Sequence, residues 1–473
     1  MSKPMQLDVE DCLCRVLLRA QVITEEAMGR HITNQAMLLQ LLMLTDAMHR
    51  GYYTLDNFRY QPQDEEEAKD QAVSRSSSLS IVNYVKRLCF SGRGASALKE
   101  MQETLEKLSS MILDVNELVL FLTSYPRLYR QPYSMHLQLV NCMFGRQMES
   151  QVVINFLLCK QPHGPEELEV LPIIGPGYVG KSTLVAHACK VERVRDHFSE
   201  ILFLQSHDFT DDELTTFTNE CARKHQNHVS NSNKDMGFLV VVELVGDLHE
   251  DAWNRLYSDL KQCVPSCSKI IITSRSDKIA KFGTTQALTL KHFSNEAYWY
   301  FFKTLTFESI DPEMHPRLTY LAMEIAKAMR SSPLSAYITA HVLRDNFEIR
   351  FWCKVLSFFR GSFHKYASKY GGEHPLDAIG ENKTTCIGRM AIPSEVCVLY
   401  HHHHQYSTED GVPKITIQDV LYGNVKPRGK FEALAWRSSI PPYYSYVSTC
   451  EIQELKTAGV KRKRSMKDRV TLF

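Results

Sequence analysis

The series Gly175-Pro176-Gly177-Tyr178-Val179-Gly180-Lys181-Ser182-Thr183 is a complete G-x-x-x-x-G-K-[ST] motif. Glycines at 175, 177 and 180 let a backbone curl until its amide N–H groups converge on a phosphate at a helix N-terminus. Lys181 then reaches toward β- and γ-phosphates, and the Ser182 hydroxyl ligates Mg²⁺ with Thr183 beside it. Two further groups fit the same chemistry. Glu243 ends the apolar run 238–242, where a phosphate-loop protein needs an acid to complete the metal shell. A glutamate is one methylene longer than the usual aspartate and still reaches the ion directly or through water. Arg275 closes the run 269–274 at what becomes the carboxyl edge of a sheet, where a guanidinium can sense a γ-phosphate, a reading preferred over a solvated surface arginine. Leu244 follows Glu243, so the second carboxylate that would orient an attacking water is missing. Asp247 could substitute only if the turn bent it back. Binding is therefore better supported than hydrolysis.

The elements that must position these groups are legible in part. An apolar run, 170–174, precedes the loop, and a helix-like stretch, Leu184-Val185-Ala186-His187-Ala188, follows it. Further strand candidates at 201–204, 238–243, 269–273 and 287–291 are separated by helical stretches such as 212–224 and 251–263. That alternation is the pattern of a parallel, doubly wound α/β sheet. Upstream, 34–49 is nearly apolar all round and reads as a buried helix, and 61–80 is polar and reads as a loop. Leu98, Met101, Leu105, Leu108, Ile112, Val115, Val119 and Leu122 alternate at steps of three and four, an a/d seam that ends before Pro126. One helix of an intramolecular bundle is the preferred reading, with an intermolecular coiled coil as its alternative. A helical block covers 295–359, and from Arg360 onward periodicity fades.

Bulk properties exclude several classes. The chain has 473 residues, 55 basic against 54 acidic side chains and a net charge of +1, which gives no case for a general polyanion-binding surface. Thirteen cysteines without a regular framework suit a reducing compartment, and no pair has a zinc-ribbon partner. The opening residues 1–10 are polar without an apolar leader core, and the longest apolar run is too short for a membrane span. His401-His402-His403-His404 could bind a transition metal, though an internal polar loop is preferred. Lys461-Arg462-Lys463-Arg464 resembles a nuclear-import signal, and no zinc-finger or RNA-recognition signature accompanies it, so no specific nucleic acid is expected.

An ordered set of motifs carries a family resemblance. It comprises Phe144-Gly145-Arg146, the loop at 175–183, Val194-Arg195-Asp196-His197-Phe198, the strand before Glu243 with Trp253 beyond it, Ile272-Thr273-Ser274-Arg275, and Ser332-Pro333-Leu334. Over residues 140–360 the chain resembles the NB-ARC module of plant intracellular immune receptors of the nucleotide-binding leucine-rich-repeat class. The segment from Asp46 to Asp56 looks like a divergent form of their coiled-coil domain, and 427–446 is similar to the tail of a grass subgroup lacking repeats. The resemblance implies that Gly145 and Arg146 lie near adenine and ribose, and that Pro333 packs on the adenine. Lys181 and Ser182 hold phosphate and Mg²⁺, Glu243 is the metal-binding acid, and Arg275 senses the γ-phosphate. It also implies a switch driven by exchange of ADP for ATP, with defence signalling as output.

The chain departs from that pattern. Leu244 stands where a second acid is usual, and Ser331-Ser332 replaces Gly-Leu before the Pro-Leu pair. No Met-His-Asp follows residue 360, which puts the winged-helix domain that carries it in question. No repeat of L-x-x-L-x-L type recurs. The sequence therefore predicts a multidomain α and α/β protein. Residues 1–125 form a helical coiled-coil-like bundle, 140–292 a P-loop NTPase domain with a parallel sheet, 293–360 a small helical lobe, and 361–473 a degenerate, irregular C-terminal tail. The expected function is binding of ADP or ATP with Mg²⁺ by a disease-resistance-like switch or adaptor with weak or no hydrolysis. Its expected partners are other plant immune-signalling proteins, with self-association through the helical N-terminus as a further possibility. An active ATPase of the signal-transduction P-loop class and a pseudo-NTPase scaffold are the alternatives. The expected location is the cytoplasm, or the nucleus if the basic run near the C-terminus serves import.

Overall fold

The computed structural model describes residues 3–60, 80–127, 143–159, 167–206, 215–224, 236–244, 247–329, 331–367, 378–379, 383–405, 412–423 and 425–454. The polar stretch 61–79 and the basic run 461–464 lie outside the described residues.

Three long helices open the chain: α1 (Lys3–Met28), α2 (Gln35–Tyr60) and α3 (Ser80–Asp114). Asn34 caps α2, its side-chain oxygen accepting from the backbone N–H of Ala36 at 2.9 Å and of Met37 at 3.2 Å, which satisfies two of the orphan donors of the first turn. Gly51 lets α2 approach α1, since a Cβ there would lie 2.6 Å from Leu17. The a/d seam packs inside the chain: Leu98, Met101, Leu108 and Ile112 share one core with Leu13, Leu17, Leu41 and Leu44. Two expectations need correction. The seam is not one helix, because it breaks at Val115 (φ −96°) before a short helix, α4 (Asn116–Leu122). Nor is 34–49 buried all round: Leu39 and Met43 are 50% and 55% exposed, on the side of α2 turned away from its partners.

The middle of the chain is the α/β unit. Strands β1 (Glu169–Ile174), β2 (Phe198–Ser206), β3 (Gly237–Leu244), β4 (Lys269–Ser274) and β5 (Leu288–Thr289) form a parallel sheet in the order β2-β3-β4-β1-β5. All eight residues of β3 are buried, because both faces of a parallel sheet are covered. One face packs on α5 (Gln147–Leu158) and α6 (Lys181–Lys190), the other on Trp253, Leu256 and Leu260 of α7 (Glu250–Cys263). Because β1 lies between β4 and β5, the order reverses beside it, and the crevice at its carboxyl end is where such sheets bind ligands.

A helical lobe follows, built from α8 (Asn295–Phe307), α9 (Pro316–Ala328), α10 (Pro333–Asp345) and α11 (Ile349–Ala367) around Trp299, Phe302, Phe307 and Trp352. The irregular tail expected after residue 360 is, over 385–454, an antiparallel sheet. Its strands β6 (Thr385–Gly388), β7 (Glu395–Gln405), β8 (Lys430–Arg437) and β9 (Ser445–Glu454) run in the order β6-β7-β9-β8. Register shifts between Leu399 and His401 and between Leu434 and Trp436 break the alternation that would have announced these strands. The His401–His404 run is therefore strand, not loop, paired with Val447 and its neighbours on β9. Fully buried Arg389 ties the sheet to the short helix Ile417–Leu421, pairing with Glu395 of β7 and donating from Nε to the Val420 carbonyl at 2.8 Å.

Candidate nucleotide-binding site

The loop leaves β1 at Ile174 and enters α6 at Lys181. Each glycine position has its own reason. A Cβ on Gly175 would lie 2.5 Å from the Leu290 carbonyl, and Gly180 has φ +97° with Met143 filling the space a side chain would take. Gly177 sits in the turn between them. The N-cap of α6 is Gly180, which has no side chain to bond its first turn, so among the described residues its N–H groups remain available to an anion. Tyr178, between the glycines, holds φ +56°, a left-handed conformation that costs an aromatic residue about 1–2 kcal/mol.

Lys181 folds back over this loop, donating to the carbonyls of Gly175 at 2.7 Å and Pro176 at 2.8 Å. Burial pushes its ammonium from the ordinary 10.5 down to about 7, nearby Arg275 adds to the shift, and Glu243 opposes it. Glu243 itself is buried at the end of β3, so acid, lysine and Arg275 converge on one crevice. The Arg275 guanidinium stands 5.8 Å over the Tyr178 ring. Ser182 and Thr183 occupy the first turn of α6, and the Thr183 hydroxyl meets that of Tyr444 at 2.7 Å. Uncapped amides, a lysine, a hydroxyl pair and one carboxylate are the donor set that a Mg²⁺-bound nucleotide requires. Lys181 and the α6 amides would hold phosphate, and Ser182 with Glu243 the ion, whose bound charge would screen the phosphates.

Beside the loop is a cavity of about 100 Å³, lined by Phe144, Gly180, Phe293, Pro333, Tyr337 and Trp436 among others. Pro333 lines this cavity from the first turn of α10. Gly145 takes φ +60° against Phe293. Arg146 does not line this cavity. Its guanidinium pairs with Glu149 at 2.9 Å, donates to the Lys291 carbonyl and stacks 4.8 Å over Phe293, facing a neighbouring cleft instead. The alternate acid is also accounted for. Asp247 pairs with Lys278 at 2.5 Å at the surface, and Leu244 is buried in the sheet's core.

Sequence reasoning missed Tyr178, Tyr337, Tyr444 and Tyr446 as residues of this site. The last two lie on or beside β9, more than half the chain away, and no local pattern connects them to the loop.

Comparison with known proteins fits this geometry. Residues 147–311 match the family model described as the NB-ARC domain. The chain contains an NB-ARC domain. The loop at 175–183, Glu243 and Arg275 fall inside the matched residues, while Gly145, Arg146 and Pro333 fall outside them. Disease resistance protein RGA2 of Solanum bulbocastanum is 27% identical over 223 residues, 44% of this chain and 23% of that protein. An RPP13-like protein of Arabidopsis thaliana is 24% identical over 236 residues, 46% of this chain and 22% of its own length. The match thus spans less than a quarter of these relatives. Among solved structures, a Drosophila ORC structure bound to DNA is 10% identical over 48% of this chain and 67% of its own, with a TM-score of 0.28, which carries no argument. Among the described residues no helix is long and apolar enough to cross a membrane, and no cluster of three metal-ligating side chains occurs.

Proposed function

We propose that the NB-ARC domain binds ADP or ATP with Mg²⁺ and serves as a slowly hydrolysing or non-hydrolysing switch in a plant defence-signalling protein. The observation that carries this reading is Lys181, drawn over a glycine loop at an uncapped helix N-terminus with Glu243 in the same crevice. Weak turnover follows from what surrounds the acid. The position after Glu243 is a core leucine, and the nearest downstream aspartate is bound to Lys278 at the surface. With neither position 244 nor Asp247 placed to orient water, the described residues bind and position a nucleotide rather than cleave it.

Gly145, Gly175, Gly177, Gly180, Lys181, Ser182, Thr183, Arg275 and Pro333 belong to the proposed site, with Arg146 acting on it through Phe293. The exposed Leu39 and Met43 on α2 favour contact of the helical N-terminus with another protein, either a second copy or an immune-signalling partner. The proposed location is the cytoplasm, with access to the nucleus if residues 461–464 act as an import signal.

The test uses the full chain stripped of nucleotide. ADP and ATP at a hundredfold excess over Kd each stabilise it by about 2.7 kcal/mol, and Lys181→Ala removes the effect. Steady-state ATP turnover matching an intact family member, and lost in Lys181→Ala, would overturn the claim of impaired hydrolysis. Absence of any thermal shift with either nucleotide would overturn the claim of binding.

A further inference from the structure

The cavity beside the phosphate loop is closed by the far end of the chain. Trp436, at the bulge in β8, and the turn Ser438-Ser439-Ile440 line it together with Phe144 and Pro333. The Tyr446 ring lies 5.3 Å from Tyr178. Trp436 lies 5.8 Å from both Tyr444 and Tyr446, and 6.2 Å from Tyr337 of the helical lobe. An unbroken line of rings therefore joins lobe, C-terminal sheet and phosphate loop, and ends where Arg275 stands over Tyr178. The left-handed Tyr178 is held by this packing, since a strained conformation persists only where its surroundings over-determine it. The hydroxyl contact between Tyr444 and Thr183 adds a polar tether to the same helix turn that carries Ser182.

We infer that the C-terminal sheet is part of the nucleotide site: Trp436 and the Ser438–Ile440 turn form the outer wall that contacts the base side of the bound nucleotide, and Tyr444 is a positioning residue for Thr183. The inference rests on the reading that the loop binds an adenine nucleotide. Its grounds are chemical. Phosphate is matched by the amides of α6 and by Lys181, whereas this cavity is walled by Phe144, Phe293, Pro333 and Trp436, which suit a flat aromatic ring. At about 100 Å³ the cavity is small for a nucleoside diphosphate, so binding repacks Trp436, the one cavity-lining tryptophan. Trp253, Trp299 and Trp352 lie in closed cores at 5%, 1% and 0% exposure.

The experiment titrates ADP into the stripped full chain, following heat by calorimetry and tryptophan emission in parallel. The parent binds ADP with a change in emission, and at saturating ADP that change is largely lost in Trp436→Phe. Trp436→Ala weakens ADP about tenfold, the loss of one base-stacking partner. Tyr444→Phe keeps the ring and removes only the hydroxyl. It weakens ADP about threefold, while circular dichroism and nucleotide-free emission stay those of the parent. Binding by the parent with an undiminished emission change in Trp436→Phe and parental affinities in the other two variants overturns the inference alone. No heat of binding in the parent overturns the nucleotide reading, and the inference falls with it.

Discussion

Asp56 on α2 accepts a hydrogen bond at 2.7 Å from the indole N–H of Trp299 on α8, 243 residues away. Lys303, one turn further along α8, forms an ion pair with the same carboxylate, and Asp56 is only 4% exposed. The helical N-terminus is thereby docked on the lobe that follows the phosphate-loop sheet, with His49 of the same helix set between Phe144 and Tyr300 at ring distances of 5.3 and 5.0 Å. Removing one partner of a buried, charge-paired contact leaves the others unsatisfied, at about 3–5 kcal/mol.

Asp56→Ala is therefore expected to destabilise the chain by about 3 kcal/mol, read by denaturant unfolding of the transition that exposes Trp299. Trp299→Phe, which keeps the Asp56–Lys303 pair, loses a hydrogen bond to a charged group, about 1.5–3 kcal/mol, together with the packing of the larger indole ring. An unchanged unfolding transition in Asp56→Ala would show that this buried contact contributes nothing to docking.

Lys181 gives nucleotide affinity a defined pH dependence. Its ammonium titrates near 7 in the free site instead of at the ordinary 10.5, chiefly because it is buried. Phosphate favours the charged form, so the bound-state pKa lies higher. Below about 7 the lysine is already charged and binding needs no proton. Above it, binding takes up a proton, and affinity falls by up to about tenfold per pH unit until the bound-state pKa is reached. Calorimetry with ADP at pH 6.5 and 8.5, in buffers of different ionisation enthalpy, is expected to show much greater proton uptake at the higher pH. Equal affinity at both would contradict it.

Ser331 occupies a left-handed conformation, φ +57°, two residues before Pro333. A glycine adopts that conformation without Cβ strain, so Ser331→Gly is expected to raise stability by about 0.5–1 kcal/mol. Ser331→Ala retains the Cβ and should show no such gain. A gain of the same size in both variants would locate the effect in the hydroxyl instead of the backbone.

The parts of the molecule that sequence made legible are those whose signals are local. The glycine loop, the strands around it and the acid at Glu243 each show within a few residues, because a buried parallel strand is a continuous apolar run and a phosphate loop is a fixed spacing. The a/d seam marked core positions as far as Val115, but not the break there, after which Leu118 is buried and the seam residue Val119 is exposed. Arg146 shows the limit of a motif: Glu149 and the Lys291 carbonyl, not the cavity, decide where its guanidinium goes. The C-terminal sheet was the least legible. Two bulges shift its pairing and scramble the alternation, and the importance of Tyr444 and Trp436 arises only from contacts with Thr183 and Tyr337 distant in the chain.

The most direct measurement is to denature the purified full chain and identify released nucleotide by mass spectrometry, alongside Lys181→Ala. The account predicts an adenine nucleotide, predominantly ADP, from the parent and little or none from the variant. A folded parent that releases no nucleotide and binds neither ADP nor ATP when they are supplied with Mg²⁺ would contradict it.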